Sequence, residues 1–205
     1  MAKSASSKRW LHRQGADEYV RRAKADGWRS RAVYKLIEFQ ERERLLQSGQ
    51  RVLDLGAAPG AWSQYAAKAI GPKGRVIAVD LLEMGPIAGV AFMQGDFRDE
   101  NIYAQVLQCA SDTGLDLVMS DMAPNISGTR SVDQPRAMYL AELAFDMATK
   151  ALRPGGSFVV KLFHGEGFDA FVRSVRQSFD GVKVRKPKAS RPQSRETYLV
   201  ARNFR

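Results

Sequence analysis

The sequence is poor in the residues that build disulfides and metal centres. It has one cysteine, Cys109, and only two histidines, His12 and His164. A single cysteine excludes an internal disulfide and a cysteine-rich zinc site, and two histidines are too few for a histidine metal cage. We therefore expect no bound metal, and a protein suited to a reducing compartment.

Long apolar runs are also absent. No stretch approaches the roughly 20 apolar residues that cross a bilayer, and the N-terminus is basic and polar, without the apolar centre of a signal peptide. We expect a cytoplasmic protein with no membrane partner, and we expect it to be a monomer. A length of 205 residues suits one domain with a well-buried core.

Positive charge is concentrated in two segments of the chain. Residues 1–31 contain nine Lys or Arg against three acids, residues 183–195 contain six and no acid, and the remainder is close to neutral. Clustered cations favour a polyanion through phosphate neutralisation and counterion release; a solubilising tail is the alternative. We predict a basic N-terminal arm over residues 1–25 that lacks a clear apolar pattern, followed by a single domain over residues 26–205.

Strand-length apolar runs alternate with helical patterns. Several runs are continuously apolar, as in strands buried on both faces, and the alternation predicts a doubly wound α/β fold. The last two runs have no helix between them, so we expect an antiparallel pair at one edge of a mostly parallel seven-stranded sheet with helices on both faces. The seven runs are residues 52–55, 75–79, 90–93, 115–119, 157–163, 182–184 and 197–201.

A glycine-rich loop follows the first of these strands. Small residues at such a turn let a ligand approach the backbone, which predicts a nucleotide-like cofactor at the carboxyl end of the strand. The loop lacks the G-x-G-x-x-G spacing of a dinucleotide site. Trp62 either packs beside the cofactor or belongs to the core. The candidate cofactor-binding residues here are Asp54, Gly56, Ala57, Pro59, Gly60 and Trp62.

Acidic residues end four successive predicted strands, at Asp54, Asp80, Asp96 and Asp121. An acid in the first strand suits a cationic ligand better than a pyrophosphate, and S-adenosylmethionine carries a sulfonium and an ammonium. We predict that Asp80 accepts the ribose hydroxyls, Asp96 meets the adenine amine and Asp121 lies near the methionine end. The alternative is that these acids cap helices or form Asx turns.

Five segments together resemble the FtsJ/RrmJ-type ribosomal RNA 2′-O-ribose methyltransferases. The resemblance implies a Rossmann-like methyltransferase fold that uses S-adenosylmethionine, and methylation of a uridine of 23S ribosomal RNA in the large ribosomal subunit. It also places the family's Lys-Asp-Lys-Glu tetrad on Lys35, Asp121, Lys161 and Glu196. The segments are residues 29–36, 54–62, 120–125, 160–163 and 190–196.

The tetrad residues suit transfer of a methyl group to a ribose 2′-hydroxyl. This hydroxyl is a poor nucleophile, so in-line attack needs a base that takes its proton. We assign that role to Lys161, because it interrupts an apolar run, and predict that Asp121 positions it while Lys35 and Glu196 help to seat the ribose. Taken singly, Lys35 also fits a surface pair with Glu38, Lys161 a snorkelling side chain and Glu196 a solvated edge charge.

Basic residues near the tetrad are candidates for contacts to RNA. Arg29, Arg31, Arg191 and Arg195 flank the proposed catalytic residues and suit phosphates near the target ribose. Aromatic residues among the N-terminal cations are candidates for stacking on unpaired bases, with core packing as the alternative for two of them, Trp28 and Tyr34. These aromatic residues are Trp10, Tyr19, Trp28 and Tyr34.

Other functions remain open at this level. The tetrad fits methylation of a transfer RNA or a messenger cap equally well. A non-enzymatic RNA chaperone or ribosome assembly factor is a second alternative, although a binding protein has no need of a lysine inside a strand. The loop spacing disfavours a nicotinamide-dependent reductase.

Overall fold

The computed structural model describes residues 17–110, 113–191 and 193–205. These residues form one seven-stranded sheet with the order β3-β2-β1-β4-β5-β7-β6. Neighbouring strands from β3 to β5 are parallel, whereas β7 is antiparallel to both β5 and β6. The strands are β1 (Arg51–Leu55), β2 (Arg75–Asp80), β3 (Val90–Gln94), β4 (Leu115–Ser120), β5 (Leu152–Phe163), β6 (Phe179–Arg185) and β7 (Glu196–Phe204).

Helices cover both faces of this sheet. One face carries a core cluster that includes Phe39 and Trp62, and the opposite face carries a larger cluster that includes Phe158 and Phe171. The predicted doubly wound architecture is therefore confirmed. The described helices are α1 (Glu18–Ala25), α2 (Val33–Glu43), α3 (Ala61–Ile70), α4 (Glu100–Ala110), α5 (Arg130–Ala151) and α6 (Phe168–Ser178).

The antiparallel pair lies at one side of the sheet, as expected, but the antiparallel strand itself is not the edge. β7 lies between β5 and β6, so β6 is the outermost strand. The cause is visible in burial: residues 197–201 of β7 are all buried, whereas Lys183 and Val184 of β6 are exposed. An apolar strand gains most from neighbours on both sides, and a charged strand is the better edge.

The end of the predicted N-terminal arm is ordered helix. Asp17 caps α1, accepting a hydrogen bond from the backbone N–H of Tyr19 at 3.1 Å. Ala23 is buried, and the ring of Tyr19 packs 5.5 Å from that of Tyr34. The Arg31–Asp17 ion pair and the hydrogen bond from the Tyr34 hydroxyl to Asp26 also tie this helix to the rest of the chain. Residues 1–16, including Trp10, lie outside the described residues, and the division at residue 25 stays a prediction.

The described ranges contain neither a membrane-spanning helix nor a cluster of metal-binding side chains. No helix there has both the length and the apolar character needed to cross a membrane. No group of three or more His, Cys, Asp or Glu side chains in the same ranges is arranged to hold a metal ion. Absence of a resident metal stays a prediction.

Candidate active site

The glycine-rich loop connects β1 to α3 at the carboxyl edge of the sheet. Gly56 has a φ of 75°, and a Cβ there would lie 2.6 Å from the Met122 side chain, so no other residue fits without a shift. The backbone N–H groups of Gly56 and Ala57 both donate to the carbonyl of Val79, at 2.9 and 3.2 Å. Gly60 has a φ of 102° and directly precedes α3. These contacts fix the loop between β1, β2 and the loop that follows β4.

Two of the predicted acids bond to this loop and to the helix that follows it. Asp54 is fully buried, and its Oδ2 accepts from the Ser63 hydroxyl at 2.6 Å. The other carboxylate oxygen has no partner among the described residues. Asp80 accepts from the backbone N–H groups of Ala58, at 2.9 Å, and Leu82, at 2.8 Å. The Asx-turn alternative therefore holds for part of the Asp80 carboxylate, which also orients the loop.

Three carboxylates crowd the same rim of the sheet. Burial raises the pKa of Asp54 to about 7, the Ser63 hydroxyl opposes this rise, and the negative charges of Asp121 and Asp80 reinforce it. Mutual repulsion of this kind is relieved by a ligand that brings positive charge. The donor chemistry of the rim thus suits a cationic ligand.

The structure brings the four tetrad residues together. Lys161 Nζ lies 2.7 Å from Asp121 Oδ1 and donates to the backbone carbonyl of Asp121 at 2.9 Å. Lys35 Nζ lies 3.0 Å from Glu196 Oε1 and 3.8 Å from Asp121 Oδ1. The side chains are 9–17% exposed, so the two lysines and two acids form a nearly buried, charge-balanced group.

Tyr198 completes this group and was not among the predicted residues. Its hydroxyl accepts from Lys35 Nζ at 2.7 Å and donates to Asp121 Oδ1 at 2.5 Å. Burial and the charges of Asp121 and Glu196 raise its pKa well above 10.0, so the hydroxyl keeps its proton. Tyr198 pairs with Lys161 across the β5–β7 ladder. The available signal was its position two residues after Glu196, which puts both side chains on one face of the strand.

Electrostatics keep Asp121 ionised within this group. Burial raises its pKa, but the nearby Lys161 and Lys35 ammonium groups outweigh burial, and the net effect is a lowered pKa. The carboxylate is consequently a fixed negative centre between the two lysines. It can orient an amine and can face a cationic ligand at the rim.

Two predicted cofactor residues have partners within the protein. The Trp62 side chain is in the core, 3% exposed, and its indole N–H donates to the carbonyl of Ala32 at 2.8 Å. This placement corresponds to the core-packing alternative, because the ring fills space beside Phe39. Asp96 follows β3 as predicted, but Arg98 binds both of its carboxylate oxygens at 2.6–3.0 Å. Its contact to adenine stays a prediction.

Arg29 supports the glycine-rich loop. Its guanidinium donates to the backbone carbonyls of Pro59 at 3.2 Å, Gly85 at 2.8 Å and Pro86 at 2.6 Å. These bonds tie the glycine-rich loop to the segment after β2. Three hydrogen bonds of this guanidinium are thus made within the protein, and its contact to RNA stays a prediction.

The other three predicted RNA-binding arginines differ in their exposure and in their partners within the protein. Arg31 is bonded to the carboxylate of Asp17 and the carbonyl of Ala189, which ties α1 to the segment after β6. Arg191 Nε lies 3.8 Å from the same Asp17 carboxylate and is half-exposed. Arg195 is exposed and lines an open groove. Sequence position alone did not distinguish the arginines that are bonded within the protein from the one that is exposed in the groove.

Comparison with known proteins agrees with the geometry. A family model described as FtsJ-like methyltransferase matches residues 28–204. Curated proteins named ribosomal RNA large subunit methyltransferase E, from Pseudomonas aeruginosa and Marinobacter nauticus, are each 55% identical over 205 residues, covering 100% of this chain and 99% of theirs. The homologue of that name from Cellvibrio japonicus is 52% identical over 204 residues.

Solved structures share the fold. A ribosomal RNA methyltransferase from Plasmodium falciparum is 28% identical with a TM-score of 0.77, covering 86% of this chain and 98% of that one. Human methyltransferase-like protein 13, in complex with SAH, is 16% identical with a TM-score of 0.57, covering 84% and 80%; at this identity it shows the fold alone.

Fold and site together define a methyltransferase with a Rossmann-like sheet. The chain belongs to the FtsJ-like methyltransferase family. The resemblance seen in the sequence is thus confirmed, and the non-enzymatic alternative gives way to an enzyme.

Proposed function

We propose that this enzyme transfers a methyl group from S-adenosylmethionine to the ribose 2′-hydroxyl of a uridine in 23S ribosomal RNA of the large subunit. The names of the relatives supply the substrate class. The observation that carries the chemistry is the Lys161 amine, held 2.7 Å from Asp121 Oδ1 at the carboxyl rim of the sheet. A metal-free monomer acting in the cytoplasm remains our expectation.

The residues of the rim fit this cofactor. S-adenosylmethionine supplies, when bound, an electrophilic methyl group on a cationic sulfur. The crowded carboxylates of Asp54, Asp80 and Asp121 favour a ligand with positive charge, as their mutual repulsion indicates. We assign the ligand's contacts to Asp80 and Asp121 and to the loop from Gly56 to Gly60. Asp54 is fully buried, so we propose that it affects the ligand through its charge and not by contact.

Lys161 is oriented to act as a base. A neutral lysine amine has two hydrogens and one lone pair, and two acceptors of Asp121, its Oδ1 and its backbone carbonyl, lie within 2.9 Å of Nζ. Both hydrogens are thereby occupied, and the lone pair is left to accept the proton of the substrate hydroxyl. Asp121 is the positioning group, and when Lys161 is neutral the Lys35 ammonium and the Tyr198 hydroxyl still favour its carboxylate form, which keeps it an acceptor.

Lys35 and Glu196 form the second half of the group. Their ion pair, at 3.0 Å, presents one donor and one acceptor beside the base. A ribose has hydroxyls that can use both, so we propose that this pair seats the sugar. The hydroxyl of Tyr198 links the pair to Asp121 and holds the two halves in register.

The test is substitution of the base. We expect Lys161→Ala to lower methyl transfer by about 10²- to 10⁴-fold, while the Kd for S-adenosylmethionine measured by calorimetry changes little. Lys150→Ala is the matched control, because this lysine also pairs with an aspartate, at 2.8 Å, but lies exposed on α5. Near-normal turnover of Lys161→Ala would refute the assignment.

The substrate is tested separately. Ribosomal subunits from cells that lack the enzyme, and transfer RNA as the alternative acceptor, should be offered with labelled S-adenosylmethionine, and 2′-O-methyl groups mapped in the products. We expect a single new 2′-O-methyluridine in the large-subunit RNA. Labelling of transfer RNA alone, or of a base instead of a ribose, would refute the proposed substrate.

A further inference from the structure

An open groove of about 660 Å³ lies next to the tetrad but on the other face of β7. Side chains alternate along a strand, so Glu196 and Tyr198 point to the face of Lys161 while Thr197 points to the opposite one. Thr197 lines the groove and pairs with Leu162, one residue beyond Lys161 on β5. Because consecutive Cα atoms are about 3.8 Å apart, the groove begins one residue away from the proposed ribose site.

Positive charge is clustered in the groove, where the Lys186 ammonium donates to the backbone carbonyl of Ser194 at 3.0 Å. Arg130, Lys186 and Arg195 line it, and all three are exposed. Within the described ranges, neither Arg130 nor Arg195 has an ion-pair or hydrogen-bond partner, in contrast to Arg29 and Arg31. Free guanidinium groups in a concave surface are suited to bind a phosphate in bidentate fashion.

The groove also offers neutral contacts. Gln193 supplies an amide with both donors and acceptors, and Val184, 37% exposed, supplies an apolar surface. Thr197 is 5% exposed, and its hydroxyl has no hydrogen-bond partner in the described part of the chain. A buried polar group without a partner costs free energy unless something satisfies it, so this hydroxyl points to a missing ligand.

We propose that this groove binds the unpaired nucleotide adjacent to the target uridine. The inference rests on the proposed function, since it assumes an RNA substrate at the tetrad. The cations bind the phosphate, Val184 contacts the face of the base, and Gln193 and Thr197 bond to its edge. An RNA strand that crosses the rim at the start of β7 places one nucleotide on each face, so the groove adds sequence preference to a tetrad that reads only ribose.

The phosphate part of the proposal is tested with Arg130→Ala. With large-subunit particles as substrate, we expect KM for the particles to rise about tenfold or more, with kcat within about twofold and the salt dependence of binding reduced by about one phosphate. Arg173→Ala is the matched control, an exposed cation on α6 that does not line the groove. Equal KM values for Arg130→Ala and the wild type would overturn the proposal.

The base part is tested with Gln193→Ala and the near-isosteric Thr197→Val. The probe is a single-stranded RNA oligonucleotide that spans the mapped methylation site, intact or with an abasic position on the 5′ or the 3′ side of the uridine. We expect one abasic position to weaken binding of the wild type about tenfold and to have little further effect on the two variants, because base and side chains then form one coupled contact. Fully additive effects would overturn the proposal.

Two controls separate this inference from its premise. Thermal unfolding and the Kd for S-adenosylmethionine are measured for every variant. If Thr197→Val lowers the unfolding temperature or weakens S-adenosylmethionine binding in parallel with RNA binding, Thr197 has only a structural role and its assignment is overturned. Fluorescence anisotropy of the oligonucleotide needs no methyl transfer. If the wild type methylates no RNA, the proposed function fails, whereas the groove is still judged by whether Arg130→Ala weakens oligonucleotide binding.

Discussion

Replacement of Asp54 by asparagine should change the pH dependence of stability in a way that the structure specifies. Asp54 is fully buried, accepts one hydrogen bond from Ser63 and leaves one oxygen without a partner in the described structure. Burial, opposed by the Ser63 hydroxyl and reinforced by the charges of Asp121 and Asp80, raises its pKa from 3.8 to about 7. The folded protein therefore holds a proton there that the unfolded chain releases.

The sign and size of the effect follow from this difference in proton binding. Below about pH 4 both states are protonated and Asp54 has no ionisation cost, whereas between about pH 4 and pH 7 stability falls as pH rises. Each pKa unit corresponds to about 1.4 kcal/mol, so a shift of about three units amounts to about 4 kcal/mol, all of it lost above pH 7. The wild type should thus be penalised most at neutral and alkaline pH.

Asparagine carries no charge at any of these pH values. Its carbonyl oxygen can still accept from Ser63, and its buried amide adds a cost of about 1–3 kcal/mol that does not depend on pH. The free energy of unfolding of Asp54→Asn minus that of the wild type should therefore increase by about 4 kcal/mol between pH 4 and pH 8. Urea unfolding followed by circular dichroism at half-unit pH steps measures this difference.

A second variant, Ser63→Ala, tests the raised pKa of Asp54 independently. Ser63→Ala removes the hydrogen bond that favours the ionised carboxylate, so the pKa of Asp54 should rise further and the pH window of declining stability should extend upward. A pH-independent difference between Asp54→Asn and the wild type would refute the raised pKa, whatever the constant offset.

Two further substitutions test contacts elsewhere in the fold. Glu43 is buried against two basic side chains of β6. Burial raises its pKa, but the two basic partners outweigh burial, and the net effect is a pKa below 4.5. Glu43→Gln should therefore destabilise the protein by about 1–3 kcal/mol at pH 7 in urea unfolding, and by less as pH falls through the lowered pKa. Tyr198→Phe removes the hydroxyl between Lys35 and Asp121, and kcat should fall about tenfold with an unchanged Kd for S-adenosylmethionine; an unaltered kcat would contradict a positioning role.

The sheet was largely predictable because its signals are local. Each parallel strand is a short, nearly continuous apolar run, and the loop from Gly56 to Gly60 needs residues that tolerate a positive φ. What local signals do not contain is the order of the strands. β7 follows β6 in the chain but lies between β5 and β6 in the sheet. Its buried residues there have neighbours on both sides, and the charged β6 forms the edge.

The site depends on that strand order. Lys35 and Glu196 are far apart in the chain, and each has an ordinary surface interpretation in its own segment. They meet because β7 pairs with β5, which brings Glu196 and Tyr198 beside Lys161. Family resemblance predicted the tetrad, whereas composition and spacing did not. Tyr198 was missed because a tyrosine on an apolar strand usually belongs to the core. Its role depends on the hydrogen bonds of its hydroxyl to Lys35 and Asp121, which only the fold brings together.

The availability of the basic residues for RNA binding was also not predictable from local sequence. The count of cations in residues 1–31 and 183–195 predicts a polyanion partner, but it does not identify which cations are available to bind. Asp17 neutralises Arg31, and backbone carbonyls occupy Arg29, whereas Arg195 has no such partner among the described residues. Availability depends on neighbours brought in by the fold, and for this reason the groove beside Arg195, rather than the segment richest in charge, is the better place to look for the RNA.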